Sequence, residues 1–218
     1  MQAKGYKGLG MEGLIAKWYA KTTYKDLDEF KALAKRMSES LAEGARVLEV
    51  APGPGYFAIE LAKRGKYEIS GLDISETFVE IARKNAREEG VEIDFRHGNA
   101  SSMPFEDGIF DLIVCRAAFK NFSEPVGALR EMRRTLRSSG KAVVIDLRKD
   151  TPKEEIDAHV DNMHVGALNS AFIKLTFRTM LLKRAYTRED FERFIAESGF
   201  EKWGIEEAQV GFEITLFK

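Results

Sequence analysis

Apolar and polar positions alternate with two different periods along the first 150 residues. Residues 27–41 place apolar side chains three and four positions apart, which predicts a helix that Gly44 ends. Short apolar stretches bounded by turn residues predict strands. The expected strands are 46–50, 67–72, 91–96, 109–115 and 141–147, with helices between them at 56–64, 75–89 and 123–137.

This alternation predicts an α/β fold, namely a Rossmann-like, doubly wound and mostly parallel sheet with helices on both faces. Beyond residue 150 the pattern changes, because 151–184 has helical character and carries no strand signal. Thr187 is expected to cap a helix that Gly199 closes. Two last strands, 200–206 and 211–217, predict a C-terminal antiparallel hairpin and bring the sheet to seven strands.

The length of 218 residues fits one domain, with enough interior for a sizeable core. We predict four parts within this domain, each with a separate role. They are N-terminal helices at 1–44, a ligand-binding core at 45–150, a helical insert or cap at 151–186, and a helix with the terminal hairpin at 187–218.

Composition narrows the class of protein further. Apolar residues make up 44% of the chain, and the net charge of −1 gives no overall attraction to nucleic acid or to an anionic membrane. No apolar run reaches the roughly 18 residues that span a bilayer, and residues 1–10 lack the apolar core of a signal peptide. Cys115 is the only cysteine, which fits a reducing, cytoplasmic location. We therefore expect no nucleic-acid partner and no stable membrane insertion.

A glycine turn follows the first predicted strand, in Val47-Leu48-Glu49-Val50-Ala51-Pro52-Gly53-Pro54-Gly55. Residues 53–58 match the dinucleotide pattern G-x-G-x-x-G/A, and Asp73 follows at a fitting distance for a ribose contact. Glu49 argues against a pyrophosphate, because a buried acid needs a donor or a cation. Pro54 argues the same way, because proline removes an N–H that a phosphate would use. The turn favours a ligand with an amino group and little phosphate.

At these residues the chain resembles the class I S-adenosylmethionine-dependent methyltransferases, in particular small-molecule enzymes of the methyltransferase-domain 11/25-like kind. The resemblance covers roughly residues 45–147 and rests on four blocks in the family's order. The blocks are Glu49-Val-Ala-Pro-Gly-Pro-Gly55, Gly71-Leu72-Asp73-Ile74-Ser75, His97-Gly98-Asn99-Ala100 with the segments 103–105 and 107–111, and the helix-glycine-strand of 136–146. Ala51 replaces the family's first glycine, and Asn99 replaces the aspartate of its adenine loop with an uncharged acceptor.

The resemblance implies a role for each residue of these blocks. Glu49 would reach the methionyl amino group of S-adenosylmethionine, unless it only caps nearby N–H groups. Asp73 would accept the ribose hydroxyls, unless it is a helix N-cap. Gly53 and Gly55, with Ala51 between strand and turn, would let the cofactor approach the backbone. The other expected contacts are Ile74, Asn99 and Ala100 at the adenine, Arg116 and Ala117 near the methyl group, and Tyr19 closing over the cofactor. The alternative for Arg116 is a solvated strand end. The alternative for Tyr19 and Ile74 is an ordinary place in the core.

Catalytic residues are not evident in the sequence. Methyl transfer is an in-line displacement at a sulfonium, so it needs alignment and exclusion of water, and a base only when the acceptor must lose a proton. Lys120 and His164 are weak candidates for such a base, and the scattered histidines and the single cysteine predict no metal site. The insert could be a lid over an apolar or anionic small substrate, a packing or homodimer contact, or a basic face on a membrane.

The function expected from the resemblance is methyl transfer from S-adenosylmethionine, with S-adenosylhomocysteine as product, to a small molecule that the sequence does not identify. Two alternatives stay open at this point. One is a nicotinamide-dependent oxidoreductase, from the G-x-G-x-x-A match. The other is a non-catalytic module that binds the cofactor, because the histidines that related enzymes often carry are absent where Lys120 and Asn121 stand.

Overall fold

A computed structural model of the chain describes residues 5–7, 10–161, 174–175, 179 and 181–218. The strands in this part are β1 Arg46–Val50, β2 Glu68–Asp73, β3 Asp94–His97, β4 Phe110–Arg116, β5 Leu136–Leu147, β6 Lys202–Glu207 and β7 Gly211–Phe217. The helices in the same part are α1 Gly13–Thr23, α2 Leu27–Ser38, α3 Tyr56–Ala62, α4 Glu76–Glu88, α5 Pro125–Thr135, α6 Lys153–Asp161, α7 Leu182–Arg184 and α8 Arg188–Ser198. Short 3-10 turns lie at Tyr24–Asp26 and Phe119–Asn121.

The strands form one seven-stranded sheet in the order β3-β2-β1-β4-β5-β7-β6. The pairs β1–β2, β2–β3, β1–β4 and β4–β5 are parallel, whereas β7 runs antiparallel to both β5 and β6. The predicted mostly parallel sheet and the C-terminal antiparallel hairpin are therefore confirmed. Strand order reverses between β1 and β4, and a ligand crevice is expected at the carboxyl ends of the strands at such a reversal.

Helices cover both faces of the sheet, as a doubly wound fold requires. One face packs against α5 and α8 through buried Leu129, Met132 and Phe191. The other packs against α2, α3 and α4 through a second set of buried residues that includes Leu33 and Phe57. Both faces of the central strands are thus removed from water, which explains why β1 and β4 read as nearly continuous apolar runs.

Two helix starts agree with their predicted caps. The Ser75 hydroxyl accepts from the backbone N–H of Phe78, at the first turn of α4. Thr187 and Asp190 form a reciprocal capping box at the start of α8, and Gly199 ends that helix with a φ of 87°. Side-chain acceptors at these positions satisfy N–H groups that have no partner inside the helix.

The start of β5 differs from its prediction. The preceding helix was expected to reach residue 137 and the strand to begin at 141, but α5 ends at Thr135 and β5 begins at Leu136. Leu136 is fully buried and pairs with Phe110 of β4, and Arg137 forms an ion pair with Asp111. Burial of Leu136 against the neighbouring strand therefore outweighs one more helical turn. The other boundaries named above lie within three residues of their predicted positions.

The predicted insert, 151–186, is described in part. Ile156 and Val160 of α6 are buried and pack with Leu147, Leu181 and Leu182, which attaches this helix to the end of β5. His164 lies outside the described residues. The division of the chain into four parts stays a prediction, and no helix in the described ranges is long and apolar enough to cross a membrane.

Candidate functional site

The carboxyl ends of four neighbouring strands bring most of the predicted site residues to one edge of the sheet. Glu49 stands one residue before the end of β1, Asp73 is the last residue of β2, Asn99 follows β3 and Arg116 ends β4. These strands lie side by side in the order β3-β2-β1-β4. The four side chains are therefore neighbours across the point where strand order reverses.

Glu49 is almost completely buried, with 3% of its surface exposed. Its Oε2 accepts from the backbone N–H of Ala58, 3.1 Å away in the first turns of α3. Burial raises the pKa of Glu49 to about 8, although the N–H of Ala58 and the positive charge of Arg116 act in the opposite direction. The carboxylate thus caps the helix, as the simpler interpretation expected, and it retains acceptor capacity for a ligand because a carboxylate has about four lone-pair positions.

Ala51 and Ala117 adopt left-handed backbone conformations, each with a φ of 57°. Each follows the strand end by one residue, Ala51 after β1 and Ala117 after β4, and each donates its N–H to the neighbouring strand: to Leu72 O at 2.8 Å and to Ile145 O at 2.7 Å. A non-glycine residue in this region costs about 1–2 kcal/mol. The replacement of the family's first glycine by Ala51 was noted in the sequence, but this backbone strain was not predicted from it.

The carboxylate of Asp73 ties the glycine turn to the end of β2. Oδ2 accepts from the N–H of Gly53 and Oδ1 from the N–H of Ser75, each at 2.9 Å. Burial raises the pKa of Asp73 to about 6, and these two hydrogen bonds oppose that rise. The helix cap is Ser75 and not Asp73, so Asp73 keeps lone pairs for a donor such as a hydroxyl.

The two glycines of the turn have different surroundings. Gly53 has a φ of +54°, and a Cβ added there would meet nothing within 4 Å, so its backbone faces open space. Gly55 has a φ of +80°, and an added Cβ would lie 2.8 Å from the Phe95 ring and 3.0 Å from the Ala82 Cβ. Gly55 is therefore required by its packing against Phe95 and Ala82, whereas Gly53 has open space on its Cβ side although the residue itself is buried.

Ile74 and Asn99, both predicted to contact the adenine, lie against the same segment of backbone at Gly5. The Asn99 Oδ1 accepts from the Ser101 N–H at 3.0 Å, which folds the loop back on itself. A Cβ added at Gly5 would lie 2.6 Å from Asn99 Nδ2 and 2.7 Å from Ile74 Cδ1, so the backbone at Gly5 contacts both. Ala100, also predicted here, is half-buried and packs against the core.

Residues 5–7 and 10–12, here called the N-terminal arm, cross the carboxyl edge of the sheet. Tyr6 pairs with Phe122 as an antiparallel bridge, and the Lys7 N–H donates to Asn121 O at 2.7 Å. Further along, the Ser75 hydroxyl donates to Met11 O at 2.7 Å. The arm therefore links the loop after β4 to the start of α4 and covers the site from the solvent side. Its glycines gave only an indirect signal of this position.

Tyr19 and Arg116 meet near the centre of the site. The Tyr19 ring contacts Phe78 edge to face with 5.8 Å between centroids, and burial raises the pKa of Tyr19 while the charge of Arg116 lowers it. Arg116 pairs with Glu29 at 2.5 Å, and its guanidinium lies 4.5 Å from the centroid of the Phe30 ring. Arg116 is thus held by α2 and is not a freely solvated strand end.

Lys120 forms a buried ion pair with Asp146, with side chains only 5% and 1% exposed. Its ammonium donates to Asp146 Oδ1 at 2.8 Å and to Ala117 O at 2.5 Å, and its backbone N–H donates to Asp146 Oδ2 at 2.7 Å. An ammonium paired in this way is a poor proton acceptor, so the geometry disfavours the general base that the sequence suggested. The pair instead fixes the strained turn at Ala117. Asp146 itself was missed, because an acid inside a long apolar strand gives no signal of its partner.

An aromatic cluster borders the site beyond Lys120. Phe119 stacks on Phe191 with 5.4 Å between centroids, and Tyr186 contacts Phe119, Phe191 and Phe194 edge to face. The Lys7 ammonium of the arm donates to the Tyr186 hydroxyl and lies over its ring. Sequence reasoning missed Tyr186, because it lies about 70 residues from Phe119 in the chain. Among the residues that the structure describes, no group of three His, Cys, Asp or Glu side chains could hold a metal ion.

Comparison with known proteins agrees with this geometry. Residues 48–144 match the methyltransferase domain family. A demethylmenaquinone methyltransferase of Deinococcus radiodurans is 38% identical over 111 residues, which are 50% of this chain and 46% of that protein. The chain aligns with less than half of the length of the first curated relatives that it matches, 46% and 40%.

Two solved structures share the fold. A candidate S-adenosyl-L-methionine-dependent methyltransferase from Methanococcus maripaludis has a TM-score of 0.77 at 23% identity, over 97% of this chain and 95% of that one. The plantazolicin methyltransferase BpumL, solved with a substrate analogue and SAH, has a TM-score of 0.69 at 14% identity, over 93% and 88% of the two chains. The family match thus covers residues 48–144, and the two solved structures share the fold of nearly the whole chain.

Replacing Ala51 with glycine should stabilise the protein. We expect Ala51→Gly to raise the free energy of unfolding by about 0.5–1 kcal/mol, because relief of the left-handed strain exceeds the entropy that glycine adds to the unfolded chain. Urea unfolding measures the change. Ala58→Gly, inside α3, is the control and should lower stability by about 1 kcal/mol or more. A loss of stability in Ala51→Gly would contradict the assigned strain.

Glu49 should make the ligand-free protein less stable as pH rises. Its folded-state pKa of about 8 lies above the ordinary glutamate pKa of 4.5. The contribution of Glu49 to stability is therefore fully present below about pH 4.5 and is lost as pH rises through 8. The slope is at most about 1.4 kcal/mol per pH unit. Urea midpoints between pH 5 and 9 should fall less steeply in Glu49→Gln, and the exposed control Glu92→Gln should retain the wild-type slope. Equal slopes in all three proteins would rule out this role for Glu49.

Removing Lys120 should leave the Asp146 carboxylate buried without its ammonium. We expect Lys120→Met to lower the free energy of unfolding by about 3–5 kcal/mol. The double variant Lys120→Met/Asp146→Asn should recover part of that loss, because no buried charge remains. Chemical denaturation of the three proteins checks this, and a loss below about 1 kcal/mol in the single variant would mean that the pair is not the constraint described here.

Proposed function

We propose that the protein transfers a methyl group from S-adenosylmethionine to a small-molecule acceptor. The observation that carries the proposal is a pair of buried acids, Glu49 and Asp73, beside a glycine turn with open space at Gly53. Burial raises the pKa of both carboxyls, to about 8 and about 6, so neither charge is fully compensated within the protein. A ligand with an amino group and hydroxyl donors supplies what these acids lack.

The residues present fit S-adenosylmethionine, which would supply a methyl group activated on a sulfonium. Glu49 would accept from its amino group and Asp73 from its ribose hydroxyls. The open space on the Cβ side of Gly53 would accommodate the part of the ligand between them. Ile74 and Asn99, both in contact with the backbone at Gly5, would hold the adenine. These assignments extend to Ala100, Arg116 and Ala117 as the remaining neighbours.

The chain's contribution to the reaction is positioning and exclusion of water. The N-terminal arm would cover the site through its bonds to Asn121 and Ser75, and the half-buried Tyr19 would close it beside Arg116. Alignment at near-attack distance in a dry site accounts for much of the rate of a displacement reaction. The paired Lys120 supplies no base, so an acceptor that needs deprotonation must use another group, for which His164 stays a candidate.

The acceptor that we propose is a small apolar molecule with an aromatic ring. The half-buried Tyr186 contacts the core ring of Phe119 and the Lys7 ammonium of the arm, and several relatives are demethylmenaquinone methyltransferases. Arg184 lies close enough to Tyr6 to influence its pKa, so an anionic substituent would also find a partner. A homodimer contact through 151–186, a cytoplasmic location and the absence of a nucleic-acid partner stay predictions.

The dinucleotide alternative has less support. The Gly53 N–H already donates to Asp73 Oδ2 at 2.9 Å, and Pro54 offers no N–H, so the turn presents few donors to a pyrophosphate.

Isothermal titration with S-adenosylmethionine and S-adenosylhomocysteine tests the proposal. The wild type should bind both, and Asp73→Ala should weaken binding at least tenfold, about 1.4 kcal/mol. Asp94→Ala, which removes an exposed acid of β3, is the matched control and should bind as the wild type does. No binding to the wild type at millimolar concentration, or an NADH fluorescence response in its place, would refute the proposal. Binding without methyl transfer to any acceptor would favour the non-catalytic module.

A further inference from the structure

The outward face of α1 carries large apolar side chains in water. Leu14 is 84% exposed, Trp18 65% and Ile15 48%. They lie one and four positions apart, so they share one side of the helix. A group of large exposed apolar side chains commonly marks a surface that binds something.

Lysines line the same face. Lys17, Lys21 and Lys25 are exposed, and Leu14, Trp18, Lys21 and Lys25 follow one another at helical intervals of three and four. The two acids that flank the segment, Glu12 and Asp26, lie outside α1, as does Lys25 in the 3-10 turn that follows it. Glu12 Oε2 accepts from the Thr77 N–H at 3.1 Å, and Asp26 lies near both Lys25 and Arg116, whose charges lower its pKa against the larger effect of burial. The face is therefore apolar and positive, although the whole chain has a net charge of −1.

The opposite face of α1 fixes the helix to the fold. Ala16 and Ala20 are buried, the Tyr56 hydroxyl donates to Ala20 O at 2.9 Å, and Tyr19 packs on Phe78. These contacts hold α1 to the fold through the side opposite Leu14 and Trp18. One helix places an apolar, basic strip on the outside and Tyr19 at the candidate site on the inside.

We propose that α1 docks this protein on the surface of anionic lipid bilayers. Leu14, Ile15 and Trp18 enter the boundary between headgroups and acyl chains, and Lys17, Lys21 and Lys25 face the anionic headgroups. A lipid surface fits this strip better than a second copy of the same face. A tryptophan and aliphatic side chains stand beside lysines, whose positive charge complements anionic headgroups but would repel another basic face. Docking is peripheral and places α1, whose inner side carries Tyr19, next to the bilayer. The inference does not depend on methyl transfer.

Flotation with lipid vesicles tests the docking. Wild-type protein should bind vesicles of phosphatidylcholine with 30% phosphatidylglycerol at least tenfold more tightly than vesicles of phosphatidylcholine alone. The binding should weaken as salt is raised from about 50 to 500 mM, because the Debye length shortens from about 14 to 4 Å. Absence of wild-type binding to the anionic vesicles at low salt would overturn the proposal.

Matched variants separate the strip from the rest of the surface. Leu14→Ser/Trp18→Ser and Lys17→Glu/Lys21→Glu should each weaken vesicle binding at least tenfold. The controls Trp203→Ser and Lys35→Glu/Lys149→Glu should change it less than twofold, and far-UV circular dichroism should be the same for all five proteins. Equal losses in controls and strip variants would overturn the proposal. A second result would also overturn it: the wild type is a dimer, the strip variants are monomers, and vesicle binding is the same in all of them. The strip would then bind protein and not lipid.

Discussion

The Asp73 carboxylate is the interaction on which the rest of the site depends. It accepts from Gly53 in the turn after β1 and from Ser75 at the start of α4, each at 2.9 Å. Those two bonds join the ends of neighbouring strands, give the turn its shape and start a helix at the cleft. They do not neutralise the charge, since burial raises the pKa of Asp73 to about 6. Glu49, one strand away, combines the same features: a structural hydrogen bond, burial and a raised pKa. Burial of these two carboxylates therefore costs free energy, and a ligand that donates hydrogen bonds to them can recover part of that cost.

Backbone strain accompanies this cost on both sides of the strand reversal. Ala51 after β1 and Ala117 after β4 take the same left-handed φ of 57°. At Ala117 the strained turn is held by the Lys120 ammonium, which is itself fixed by Asp146. Residues with such unusual backbone angles persist where the surrounding contacts hold the backbone in place, and they concentrate at functional sites. The buried ion pair thus acts on the site through the shape of the chain and not through proton transfer.

The fold could be predicted well because its signals are local. Apolar runs, Ser75, Thr187 and Gly199 each mark an element within a few residues. The prediction failed at Leu136, where a contact with Phe110 of β4 extends the strand, and such a contact is not visible in local spacing. The glycine turn and Asp73 could be predicted because their residues lie next to strand ends. Asp146, Tyr186 and the course of the N-terminal arm could not, since each acquires its role from a partner far away in the chain.

A carbon-13 NMR titration of the Glu49 and Asp73 carboxyl groups tests the central claim most directly. The account predicts titration near pH 8 and pH 6 in the free protein. With S-adenosylhomocysteine bound, both pKa values should fall by at least one unit, because the ligand's ammonium and hydroxyl groups stabilise the charged carboxylates. Glu49→Gln assigns the first signal. Carboxyl groups that titrate near pH 4 in the free protein, or that do not respond to the ligand, would contradict the account.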